Sequence, residues 1–167
     1  MSALRRPDEP RAPRRRPRPI ALPLPRKTKL YVGGTFDLFH PGHVNLLRNA
    51  KKHADIVVVA LNTDEFNEQY KGKRPVMTLA ERRAVLEACR YVDVVDVNTG
   101  GADSKPTILR HRPDFILHGD DWMGDSFMTQ LGITQQFLDD NGITLVYVPY
   151  TKGVSSSDLK HRIVDRG

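Results

Sequence analysis

Cysteine is almost missing from this sequence. Cys89 stands alone, so no disulfide can form within the chain. A single thiol suits a reducing compartment, and a cytoplasmic location is the expectation. Long apolar runs are missing too. The longest, Ile56-Val-Val-Val-Ala-Leu61, is six residues, against about 20 for a membrane-crossing helix, and it reads as a buried strand. Ile20-Ala-Leu-Pro-Leu-Pro25 is too short and too proline-broken for a signal peptide. The same prolines prevent the amphipathic helix of a transit peptide. There is no internal repeat. Acidic residues are scarce at the start: residues 1–29 hold eight arginines and two lysines against Asp8 and Glu9, a net +8. The whole chain is +6, so the remainder is −2. That excludes a basic nucleic-acid-binding fold, because the positive charge lies outside the folded part.

What is present divides the chain in two. Residues 1–28 hold seven of the twelve prolines and almost only positive charge. Such a segment buries too little apolar surface to offset its ordering entropy, so 1–28 reads as a disordered Arg/Pro-rich tail. It can act as an electrostatic tether to nucleic acid or an anionic membrane; an inert extension is the plainer reading. Residues 29–167 read as one domain.

Within that domain, strand and helix patterns alternate. Strands are expected at Leu30–Gly33, Ala54–Leu61, Val92–Val97, Phe115–His118 and Thr144–Val148. Helices are expected at Pro41–His53 (Val44, Leu46, Leu47 and Ala50 inward) and Leu79–Arg90 (Ala84, Val85, Leu86 and Ala88 inward). Further helices are expected at Lys105–His111, at Ser126–Asp140 ending on Asn141-Gly142, and at Ser155–Val164. The alternation implies an α/β fold: a Rossmann-like, doubly wound, parallel five-stranded sheet with helices on both faces. Ligands of such sheets sit beyond the carboxyl ends of the strands. The loops after Gly33, Leu61, His118 and Val148 are therefore the expected site.

The first of these loops is Gly33-Gly-Thr-Phe-Asp-Leu-Phe-His-Pro-Gly-His43. Its glycines allow close backbone approach to a phosphate, and Pro41 suits the first position of a helix whose free N–H groups attract anions. His40 and His43, at i and i+3, can share one side of that helix start. Beside a polyphosphate they are expected as cations that hold the α-phosphate and absorb charge in an in-line displacement. A zinc site wants three or four ligands, and no Cys or further His lies nearby in sequence. Asp37 reads as a cap. In Val148-Pro-Tyr-Thr-Lys-Gly-Val-Ser-Ser-Ser157, Thr151, Gly153, Val154, Ser155, Ser156 and Ser157 open a helix. Their hydroxyls and amides are expected on the β- and γ-phosphates, although a plain N-cap series would look the same.

Gly34-Thr-Phe-Asp-Leu-Phe-His-Pro-Gly-His43 resembles the signature of the cytidylyltransferase-like nucleotidyltransferases, nearest to glycerol-3-phosphate and ethanolamine-phosphate cytidylyltransferases. The likeness continues, in order, through Thr63-Asp-Glu-Phe-Asn67, Lys71-Gly-Lys73, Glu81-Arg82, Arg90-Tyr-Val-Asp93, Gly119-Asp-Asp-Trp122 and Gly153-Val-Ser-Ser-Ser157. It implies transfer of CMP from CTP to a small phosphorylated alcohol, glycerol 3-phosphate favoured, with release of pyrophosphate; an adenylyltransferase on a sugar phosphate or FMN is the alternative, and an inactive nucleotide-binding relative the second. It implies His40, His43 and Lys71 as catalytic, and Thr35, Phe36, Lys73, Arg90 and Asp121 at the nucleotide. Lys71 and Lys105 would meet the acceptor, Lys105 being shifted by one from the family position at Ser104. A homodimer is implied by the same likeness. Mg²⁺ is expected to ride mainly on the NTP phosphates, so no protein metal ligand is named. The chain departs from the family at Tyr150, where an arginine is usual. Lys152 is the nearest cation in sequence to replace it.

Overall fold

The structure, a computed structural model, describes residues 25–120 and 125–165. The tail expected over 1–28 therefore lies almost wholly outside the described residues, as does Asp121. The elements are β1 (Lys29–Gly34), α1 (Pro41–His53), β2 (Ile56–Asn62), α2 (Asp64–Lys71), α3 (Leu79–Glu87) and β3 (Val94–Asn98). They continue with α4 (Lys105–His111), β4 (Phe115–Gly119), α5 (Asp125–Leu131), α6 (Gln135–Asn141), β5 (Thr144–Val148) and α7 (Ser156–Val164). The five strands are all parallel, in the order β3-β2-β1-β4-β5.

Strand alternation builds a core on each face. On one face Leu30, Val32, Val57, Val59 and Leu61 pack with Leu47 and Ala50 of α1 and Leu86 of α3. On the other, Tyr31, Ala60 and Ile116 pack with Ile108 of α4, Phe127 and Leu131 of α5 and Leu138 of α6. The doubly wound sheet read from the sequence is the one found.

The chain enters at the central strand, winds outward through β2 and β3, then returns to β4 and β5 on the other side. The reversal lies between β1 and β4. There the pairing covers only Leu30↔Phe115 and Tyr31↔Ile116, whereas β1 and β2 pair along all of Lys29–Gly34. Beyond Tyr31 the two strands lack that ladder, and the crevice of the switch point opens between their carboxyl ends.

Three expectations need correction. The helix read over Ser126–Asp140 is two helices: Gly132 takes φ +66, its N–H bonds Thr129 O at 3.1 Å, and Thr134 caps α6 through the Phe137 N–H at 3.2 Å. Helix α2, between the second and third strands, was not foreseen; Thr63 caps it by accepting from Phe66 N at 3.1 Å. In α3, Ala84, Val85 and Ala88 are exposed; the buried pair is Arg82 and Leu86, one helical turn apart. A charged side chain can turn inward there because the carbonyls of Thr35, Asn62 and Met77 accept from its guanidinium.

Candidate functional site

An open cleft of about 510 Å³ lies at the carboxyl ends of β1, β2 and β4. Its floor is Val32, Gly33, Gly34 and Gly119. The β1–α1 loop and the start of α1 form one wall, the 71–75 loop another, and the loop into α7 a third.

The β1–α1 loop bends sharply. Phe36 and Leu38 both take left-handed backbone, at φ 55 and φ 49, a conformation non-glycine residues adopt at a cost and one concentrated at functional sites. The bend buries Phe36 and delivers His40 as the N-cap of α1. His40 turns its ring back over the helix start, and the Gly42 N–H donates to Nδ1 at 3.1 Å. A Cβ at residue 42 would lie 2.9 Å from His40 Cε1, so this arrangement demands glycine there. Because Nδ1 accepts, the neutral His40 ring carries its proton on Nε2.

His43 stacks on His40, with ring centroids 3.8 Å apart and planes 23° from parallel. Phe36 and Phe39 flank it at 5.0 and 5.6 Å. The His43 Nδ1 is buried without a hydrogen-bond partner among the described residues. Burial, then the neighbouring His40, push its pKa down to about 3, against a smaller opposing pull from Asp37. Burial lowers that of His40 as well, with Asp158 opposing. By area His40 is the more covered residue, at 8% exposed, yet the lowering is larger at His43, where burial and a second imidazole act together. The protein's own groups thus favour neutral rings, the reverse of the cationic pair expected beside a polyphosphate. An arriving anion would work against that bias.

Asp37 is structural. It accepts from the backbone of Met77 at 2.9 Å and Val76 at 3.0 Å, and pairs with Lys160 at 3.0 Å. Burial works to raise its pKa, but those two N–H groups and the Lys160 ammonium hold it below the ordinary carboxylate value. It therefore caps the loop before α3, not the first helix.

Arg82, fully buried, joins the loops of the site. It donates to Thr35 O at 2.7 Å, Asn62 O at 3.0 Å, Met77 O at 3.2 Å and the Asp64 carboxylate at 2.5 Å. The ends of β1 and β2, the start of α2 and the loop into α3 thus share one guanidinium, whose planar fork suits several acceptors at once. Asn67, also buried, donates to Thr63 O at 2.8 Å and accepts from the Thr35 hydroxyl at 2.5 Å.

Of the other residues singled out in the sequence, Thr35, Phe36, Lys71, Lys73, Thr151, Ser155, Ser156 and Ser157 all line the cleft with the two histidines. Burial, then the charge of Lys160, lower the pKa of Lys71, with Asp37 opposing. Gly153 and Val154 are not lining residues; they shape the turn into α7, Gly153 at φ 82. Arg90 is exposed, its guanidinium 5.6 Å from the Tyr91 ring centroid, and does not reach the cleft. Lys105 does not either: its ammonium donates to Gly132 O at 2.8 Å, at the break between α5 and α6. Lys152 is exposed and outside the lining, whereas Tyr150 is part of it and gives its N–H to Asp120 at 2.8 Å.

The site residues left without a role by the sequence reading are Arg82 and Asn67, quoted only within the family likeness, and His118 and Lys160. His118 lines the cleft with its ring 4.0 Å from Phe127. Lys160 carried one readable signal, its position three residues after Ser157 on the last helix. Among the described residues no group of three or more His, Cys, Asp or Glu side chains could hold a metal.

The family model described as cytidylyltransferase-like matches residues 31–162. The chain is 39% identical over 135 residues to the glycerol-3-phosphate cytidylyltransferase of Bacillus subtilis (strain 168), covering 81% of this chain and 96% of that relative. It is 41% identical over 96 residues to the FAD synthase of Pyrococcus horikoshii, covering 58% of this chain and 65% of that relative. Among solved structures, a lipopolysaccharide core biosynthesis protein from Thermoplasma volcanium GSS1 superposes with a TM-score of 0.62 at 27% identity, over 77% of this chain and 99% of the other.

Proposed function

Since this chain belongs to the cytidylyltransferase-like family, we propose that it transfers CMP from CTP to a small phosphorylated alcohol, glycerol 3-phosphate first among them, releasing pyrophosphate. The observation that carries the reading is the His40–His43 stack, 3.8 Å between centroids, in a cleft that also holds Lys71, Lys73, Arg74 and Lys160. A cleft so rich in cations attracts a triphosphate and a phosphate together.

The chemistry needs no protein nucleophile. An acceptor phosphate oxygen forms the new P–O bond at the α-phosphorus, and the bond to the bridging oxygen breaks as pyrophosphate departs in line. The acceptor phosphate attacks as an anion, so catalysis reduces to positioning and charge neutralisation. His40 presents its Nε2–H as a donor, fixed by the Gly42 N–H on its other nitrogen. His43, stacked behind it and neutral in the free protein, would take a proton from solvent as the polyphosphate raises its pKa, and would then offset charge on the α-phosphoryl oxygens. Thr35 and Phe36 would meet the nucleotide, and Lys71, at the end of α2, and Lys73, in the loop after it, would bring ammonium groups to acceptor and triphosphate.

Mg²⁺ belongs to the proposal as counter-ion of the triphosphate. The described residues supply no ligand cluster for it, and Asp37 is already satisfied by two N–H groups and Lys160. Such an ion would keep several of its waters and be held mainly through the nucleotide phosphates. Pairing of two chains into a homodimer, as the family likeness implies, is part of the proposal and is read by sedimentation.

The likeness to an FAD synthase keeps one second reading, adenylyl transfer from ATP to FMN. A pyrophosphate-release assay separates the two: CTP and ATP, each with glycerol 3-phosphate, phosphoethanolamine and FMN. The proposal expects turnover with CTP and a phosphorylated alcohol, at least ten-fold above any ATP combination, roughly what 1.4 kcal/mol of discrimination gives. Turnover confined to ATP and FMN would replace it, and no pyrophosphate from any pair would end the transferase reading.

A further inference from the structure

Of the large apolar side chains exposed among the described residues, Tyr150 is the one that lines the cleft. Such groups scattered over a convex surface need no explanation. In a concave site they are what a ligand covers. The phenylalanines of the lining already have ring partners. Phe36 faces His43 at 5.0 Å, Phe66 stacks on Tyr70 at 5.6 Å, and Phe127 meets His118 at 4.0 Å between centroids. Tyr150 is 43% exposed, and neither its ring nor its hydroxyl has a partner among the described residues. Its backbone is nonetheless held: the N–H donates to Asp120 at 2.8 Å, which joins the loops after β4 and β5. The fold places this ring and makes no use of it.

The surroundings indicate what the ring meets. The sheet order puts β4 and β5 on one side of β1, and β2 on the other. On the β2 side the lining carries Lys71, Lys73 and Arg74. On the β4–β5 side it carries His118, Phe127, Gln130, Leu131, Pro149 and Tyr150, with no lysine, arginine or carboxylate among them. Asp120, which receives the Tyr150 N–H, adds a negative charge that repels phosphate from this side. The remaining cation of the lining, Lys160, is paired with Asp37 on the β1–α1 loop. The histidine pair stands between the two sides, on the loop after the central strand. A nucleotide with its α-phosphate at that pair and its charge toward the cations has its uncharged ring left for the β4–β5 side.

We infer that Tyr150 is a base-stacking residue: its ring lies against the nucleobase of the bound nucleotide, and the Asp120 bond to its backbone holds it there. The inference rests on the reading of this cleft as a nucleotide site. Stacking uses the face that every base has, so Tyr150 adds affinity for CTP and ATP alike and does not choose between them. The base is the same in ground and transition states, so the contact lowers KM for the nucleotide without raising kcat.

Calorimetric titration of the full chain with CTP, ATP and inorganic tripolyphosphate tests this, on wild type, Tyr150→Ala and Tyr150→Phe. Tripolyphosphate has the charge of the nucleotide and no base. Loss of one stacked ring predicts about ten-fold weaker binding of both nucleotides by Tyr150→Ala. Tripolyphosphate affinity and kcat stay within about two-fold of wild type, and Tyr150→Phe, which keeps the ring, binds CTP as wild type does. Equal weakening of CTP and tripolyphosphate by Tyr150→Ala overturns the inference, because the side chain then serves the phosphates or the shape of the cleft. Unchanged CTP affinity in Tyr150→Ala overturns it too, as does a Tyr150→Phe as weak as Tyr150→Ala, which assigns the contact to the hydroxyl. Wild type that binds neither nucleotide overturns the nucleotide-site reading and this inference with it.

Discussion

His43 sits between aromatic rings and a second imidazole, and that setting gives the protein a distinctive acid response. Its folded pKa, about 3, lies below the ordinary histidine value, so the unfolded chain takes up the proton first. Stability is then lost as pH falls from about 6.5 toward 3, at up to about 1.4 kcal/mol per unit for this one group. His40, shifted the same way, adds to the slope. The lowered carboxylates Asp37, Asp55, Asp96 and Asp114 act elsewhere: their contribution is intact above about pH 4 and disappears only below it. Urea melts between about pH 4.5 and 6.5 should therefore show the imidazoles alone, with a slope that His43→Asn flattens. A slope unchanged in the variant would contradict the burial argument. At this scale the sequence disclosed the histidines, because His-Pro-Gly-His is contiguous and opens a helix. It did not disclose Arg82, whose four acceptors at Thr35, Asn62, Asp64 and Met77 are scattered over more than forty residues of chain. Nor could it show that Ser155 and Ser156 spend their hydroxyls on Asp158 and Asp37, since that depends on where the last helix lands.

At the scale of elements, the instructive case is the break between α5 and α6. An apolar period running from Phe127 to Leu138 continues through the break, so the pattern alone reads as one helix. Gly132 ends it by taking φ +66 at a point where an added Cβ would lie 2.6 Å from the Ala102 carbonyl oxygen. Its own carbonyl is held by Lys105, which is why that lysine is not available to an acceptor. Gly132→Ala should cost about 2 kcal/mol or more, left-handed strain and the backbone clash together. Chemical denaturation measures it, and a loss under about 0.5 kcal/mol would show that the break is soft. Strands and the first helix were legible because their apolar periods are unambiguous; Pro41–His53 is found as read. Helix α2 was not, since Asp64–Lys71 is mostly polar and buries only Phe66 and Asn67.

At the scale of the whole molecule, one feature of topology sets the rest. The sheet reverses its winding between β1 and β4, and the short ladder there opens the cleft where the histidine pair, the cationic loop and the last helix meet. The basic excess of the chain lies at its start, and Arg26, where the described residues begin, is paired with Asp114 beside the amino end of β4, at the opposite end of the strands from the cleft. No helix among the described residues is long and apolar enough to cross a membrane. In the proposed reaction His40 would stabilise the transferring α-phosphoryl group rather than the bound nucleotide. Single-turnover transfer from CTP to glycerol 3-phosphate by His40→Ala, with the CTP dissociation constant measured on the same sample, tests it most directly. The expected rate is at least about 100-fold below wild type, with CTP affinity changed by less than about five-fold. Equal losses in rate and affinity, or a rate within ten-fold of wild type, would contradict it.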